Sequence, residues 1–208
     1  MVIAVLIVKI TIAVVLNYPN YLPPNFASDF LQGRESYFFN SYQWAFYPHI
    51  AAGPIALLLG LGLVSDSFRL RFPTWHRRLG RIQTICVLVV VAPSGCWMAA
   101  YTATGKLAGL GFFILSGLTA ICATMGWRTA MQRRFSEHRR WMWRSFLLLC
   151  SAVVLRVLGG LGTVLEVRWG WFDTVASWGS WLGPLTVFEA RHWLQAHRVQ
   201  SKPTSRPY

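Results

Sequence analysis

Two short stretches carry most of the residues in this sequence that are able to do chemistry, "WHRRLGR" from Trp75 to Arg81 and "EHRRWMWRS" from Glu137 to Ser145. Each sets a His-Arg-Arg triplet immediately ahead of a long apolar run. Histidine binds metals through a neutral imidazole, and arginine pairs with carboxylates or phosphates through two parallel N–H donors. A pair of such triplets therefore reads as a ligand site, with His76 and His138 as candidate metal ligands, Arg77, Arg139 and Arg144 as partners for ligand acid groups, and Trp141 as an apolar wall. Two further residues stand out. His49 follows Pro48 at the head of an apolar run, and Arg156 lies within one, about 15 residues into its span or roughly 22 Å along a helix.

Other chemistries find no support in the sequence. It contains no G-x-S-x-G, no H-E-x-x-H and no G-x-x-x-x-G-K motif, and its 7 acidic residues are too few for carboxylate pairs. Cys86, Cys96, Cys122 and Cys150 all fall in apolar runs without C-x-x-C spacing, which argues for small packing residues over zinc or a disulfide framework.

The elements that must hold these side chains are membrane helices. The 208 residues are 54% hydrophobic and only 13% charged, against about 25% charged in soluble domains. Six apolar runs, near 1–16, 47–65, 82–103, 107–130, 143–165 and 174–190, approach the ~20 residues that a bilayer core requires. The expected fold is all-α, a polytopic transmembrane bundle of about six spans in a single domain, with spans two to five as a four-helix core. Ala52, Ala56 and Gly60, and Gly105 with Gly109, set small residues four apart, where backbones can approach closely. Pro54 and Pro93 interrupt spans two and three, as harmless kinks or as marks of a cavity.

The net charge of +13 does not by itself indicate a nucleic-acid partner. A nucleic-acid binder would spread its basic residues over a soluble surface, whereas here most of the 20 Lys and Arg fall between spans two and three, between four and five, and in the tail 191–208. Those segments share one side of the membrane if every span crosses. The excess of Lys and Arg on cytoplasmic loops then places both termini in the cytoplasm of a multi-pass cell-membrane protein, against anionic lipid. Residues 17–46, rich in proline and aromatics, fall on the opposite side as an ordered cap or interfacial helix. Residues 1–16 read as a signal anchor, barely long enough and carrying Lys9. Spans two and three, then four and five, repeat one plan: span, basic loop ending in His-Arg-Arg, span.

At "YPHIAAGPIALLLG", "WHRRLGRI" and "EHRRWMWRSFLLLCSAVVLR" the chain resembles the predicted membrane proteins of domain-of-unknown-function family 2306, over roughly Phe46 to Glu166. The resemblance implies a helical membrane core and no particular activity. It marks His49, Gly53, His76, Arg77, Gly80, His138, Arg139, Trp141, Arg144 and Arg156.

Spans three and five would lie diagonally in a four-helix bundle. That arrangement looks like the transmembrane b-type cytochromes, in which histidines on alternate helices hold a haem iron. Two functional expectations follow. One is a redox protein binding haem b between His76 and His138, with quinone near Arg156. The other is a non-enzymatic subunit or assembly partner whose His, Arg and Trp residues bind lipid headgroups or other subunits. His49, with no histidine at its depth on span four, is expected to form a polar contact in the core. Arg156 requires carbonyls near Gly159 and Gly160, His49 or a bound ligand to satisfy its donors.

Overall fold

The computed structural model describes residues 2–28, 30–167 and 170–200, the last three without their side chains. Its long helices are α1 (Val2–Leu16), α2 (Glu35–Leu63), α4 (Pro73–Ala99), α5 (Lys106–Met131), α6 (Phe135–Val164) and α7 (Phe172–Gln200), with a short α3 (Asp66–Arg71) between α2 and α4. Among the described residues, five helices are long and apolar enough to cross a bilayer, namely α1 with the turn that follows it, α2, α4, α5 and α6. The expected sixth span, 174–190, falls in α7, which is not among those five because serines and charged residues reduce its apolarity. It still runs from one end of the bundle to the other. Phe172 packs against Gly162 at one end, and Glu189 pairs with Arg140 and Arg144 at the other. Its buried Ser177 and Ser180 donate to carbonyls of their own helix, to Thr174 and Ser177, which makes them tolerable inside an apolar bundle.

Helices α2, α4, α5 and α6 form a ring in which each contacts the next and α6 returns to α2. The His-Arg-Arg helices α4 and α6 are therefore the diagonal pair. Small residues set the spacing: Ala56 is fully buried against Val87, Val91 and Ala123 where three helices meet. A Cβ on Gly109 would stand 2.7 Å from the Ala99 carbonyl oxygen, so only glycine lets α5 start this close to the end of α4.

Neither α4 nor α6 is uniform. Residues Val87–Val91 of α4 form a π-helical segment directly before Pro93, and Cys150 separates the two halves of α6. A proline removes one backbone donor and crowds the preceding turn, and a wider π turn accommodates that. Beyond this point α4 packs closely on α5, whereas its first half, Pro73–Cys86, makes far less contact with α5. The bundle opens at that end.

The two ends differ chemically. One carries the arginines of both His-Arg-Arg turns. Over the other, residues 17–28 and 30–46 form a cap, in which Leu31, Phe38, Tyr42 and Phe46 are buried and Met98 and Tyr101 of the core pack against them. Arg34 ties the cap down through the Tyr101 carbonyl at 2.9 Å and stacks over Phe30 and Tyr42. Helix α1 lies outside the ring against α2 and α6, mostly exposed, with Lys9 on its open face. Of the basic tail, residues 201–208 lie outside the described residues.

Candidate functional site

The two triplets enter their helices in the same way. Phe72 leaves helical geometry and Pro73 opens α4; Arg134 leaves it and Phe135 opens α6. His76 and His138 are each the fourth helical residue, with backbone N–H groups donating to the Phe72 and Arg134 carbonyls at 2.9 Å. The turn from α5 to α6 is tight. Arg133 adopts the left-handed conformation (φ 59°), and Arg134 donates back to the Thr129 carbonyl, so α6 folds directly onto α5.

Between the diagonal helices, at the basic end, lies a cavity of about 1080 Å³ that both histidines line. His138 Nδ1 stands 2.8 Å from the carbonyl oxygen of Gly126 on α5. A carbonyl only accepts, so Nδ1 is the donor, and in a neutral ring Nε2 is then the bare acceptor, the tautomer that a metal ligand needs. His76 Nδ1 is buried without a protein partner, and so is Gln83 Oε1 in the same wall. Arg69, Arg77, Arg81 and Arg139 also line the cavity. Asp66 takes Arg69 at 3.2 Å and Arg139 at 2.7 Å, bridging α3 to α6 across the mouth. Arg77 and Arg81, one turn apart on α4, have no acidic partner among the described residues.

Trp141 and Arg144 stand elsewhere. They occupy another side of α6, toward α7: Arg144 stacks over Trp141 at 4.4 Å and grips Glu189 through Nε at 2.6 Å and Nη2 at 3.0 Å. Trp141 packs with Cys122, Leu148 and Trp181. The aromatic walls of the cavity are instead Trp127, Trp143 and Phe146, with Met142. A helical face repeats after three or four residues, so Met142 and Phe146, at i+4 and i+8 from His138, were open to discovery from spacing, as was Gln83, at i+7 from His76. Trp127 was not, since it comes from another helix.

His49 and Arg156 line a second cavity, of about 180 Å³, toward the capped end and beneath α1. Gly53, Pro54, Val91 and Ala92 are also in its wall, so the interruption at Pro54 and the π segment before Pro93 border an internal space. His49 Nδ1 meets Ser94 Oγ of α4 at 2.9 Å. Arg156 donates to the Ala152 carbonyl of its own helix at 3.0 Å rather than to a neighbouring helix near Gly159 or Gly160.

The residues singled out by the family resemblance thus fall into three places. His76, Arg77, Gly80, His138 and Arg139 line the large cavity; His49, Gly53 and Arg156 line the small one; Trp141 and Arg144 join α6 to α7. No curated protein and no solved structure matches the chain. A family profile described as "Predicted membrane protein (DUF2306)" matches residues 46–190, well past Glu166 and through most of α7. The chain is a multi-pass membrane protein and belongs to the DUF2306 family.

Proposed function

We propose that the basic-end cavity is a cofactor site and that its occupant is haem b, whose iron His76 and His138 would hold. The observation that carries this reading is the pair of imidazoles at equivalent positions on diagonal helices, lining one cavity, with His138 already held by the Gly126 carbonyl. A carbonyl on the far ring nitrogen orients a ligating histidine and raises its basicity. The volume, about 1080 Å³, is just above the ~300–1,000 Å³ usual for small-molecule sites, room enough for a large planar ligand. Trp127, Trp143 and Phe146 supply apolar walls, and Arg77 and Arg81 are free to pair with propionates. Haem bound there supplies one-electron redox chemistry. The chain itself would fix the ring plane, neutralise its acid groups and exclude water from its apolar face.

The test is the reduced-minus-oxidised absorption spectrum of detergent-purified protein expressed with haem available. A haem band is expected in the wild type and its loss in both His76→Ala and His138→Ala.

The second reading, an anionic lipid headgroup in the same cavity, is favoured by Arg77 and Arg81, which have no acidic partner among the described residues. It predicts a flat spectrum and copurifying anionic phospholipid that is lost from the Arg77→Gln, Arg81→Gln double variant. A flat wild-type spectrum from folded protein sinks the haem reading.

A further inference from the structure

The small cavity toward the capped end makes a separate offer. Ser94 Oγ lies 2.5 Å from the Val90 carbonyl oxygen and 3.2 Å from that of Val91, so its single proton is spent inside α4. Ser94 must then accept from His49, whose Nδ1 is the donor. A neutral His49 therefore spends its only N–H on α4, and its other nitrogen is a bare acceptor. Arg156 is the complement. It makes one hydrogen bond among the described residues, to Ala152, and most of its N–H donors have no protein partner.

One cavity thus holds an acceptor and a charged donor, with walls otherwise largely apolar, including Leu57, Leu115 and Leu149. Its volume, about 180 Å³, suits a single ring, since an engineered apolar cavity of ~150 Å³ in another protein binds benzene. An inorganic anion would gain Arg156 but face the His49 lone pair, and it would be poorly solvated by leucines. A hydroxyl on a ring satisfies both, donating to His49 and accepting from Arg156. The cavity lies within the apolar length of α6, roughly 12 Å short of Val164 at about 1.5 Å per residue, under α1 and away from the basic loops. A ligand reaching it comes from lipid.

We infer that this cavity binds the hydroquinone ring of a lipid-soluble quinol, held by Arg156 and His49. The inference does not rest on the occupant of the basic-end cavity. It concerns binding alone.

The experiment is a binding isotherm of decylubiquinol, kept reduced, on full-length protein in detergent, corrected with protein-free micelles. Saturable binding of one molecule per chain is expected. Arg156→Leu should weaken it by roughly tenfold to a hundredfold, the usual effect of losing a charged hydrogen bond. Gly53→Leu tests the volume independently of charge: a Cβ there meets nothing within 4 Å and the position lines the cavity, so in protein whose thermal unfolding matches the wild type the side chain occupies the cavity and binding should vanish. Absence of saturable binding to the wild type overturns the inference, as do both variants binding like the wild type. Displacement of nothing but phosphatidylglycerol by Arg156→Leu, without quinol binding, assigns the site to lipid phosphate and overturns it as well.

Discussion

Individual residues here are decided by which carbonyl they can reach. His138 holds the Gly126 carbonyl because a glycine at that point lets α6 approach α5; a Cβ would stand 2.5 Å from Met142 Sδ. Gly109 is packed just as tightly, but against backbone, 2.7 Å from the Ala99 carbonyl oxygen. A thioether end swings aside at little cost, whereas two helix backbones cannot move apart without losing neighbouring contacts. Gly109→Ala is therefore expected to destabilise by about 1–3 kcal/mol, the usual range for overpacking, and Gly126→Ala by less. Thermal unfolding of both variants in one detergent checks the order, and a larger loss for Gly126→Ala would refute it.

Between elements, the clearest single tie is from α6 to α7. The Arg144 side chain is 18% exposed and that of Glu189 36%, and they meet through two hydrogen bonds, so the pair is better shielded than Asp66 with Arg139 at the cavity mouth. Removing one partner leaves a partly buried charge unpaired. Glu189→Gln should therefore cost about 1–3 kcal/mol, as expected for hydrogen bonds to a charged group, while Asp66→Asn, between exposed partners, should cost at most about 1 kcal/mol. The exchange Arg144→Glu with Glu189→Arg should recover part of the loss. A double-mutant cycle with no coupling energy would show that the Arg144–Glu189 pair adds nothing to the other contacts of α7, such as the packing of Trp181 and the hydrogen bond from Trp178 to the Leu107 carbonyl.

For the whole molecule, the two ends make a testable pair. The loops from α2 to α4 and from α5 to α6 carry the arginines, and the other end carries the aromatic cap with Arg34 and Lys106. Cytoplasmic loops concentrate Lys and Arg. In a cysteine-free background, a single cysteine at Gln132 should resist a membrane-impermeant maleimide in intact cells, and one at Asn25 should react; the reverse pattern would invert the topology. That the chain is a bundle of long apolar helices with the basic residues gathered at one end was legible in the sequence, because the bilayer imposes apolar length and charge bias on each segment separately; the count was not, since α7 falls short of the apolarity of the other five. So was the entry of His76 and His138 at helix starts, since the turn signals around Pro73 and Arg134 are local. The partition of the site was not. Spacing on one helix does not say which neighbour a face meets, so Trp141 and Arg144 were grouped with the histidines although they face α7, and Trp127 of α5 was missed. The large cavity follows from the diagonal placement of α4 and α6 and from the loose contact between the first half of α4 and α5, and the small one from α1 lying across α2 and α6. These are contacts between segments far apart in the chain, and only packing decides them.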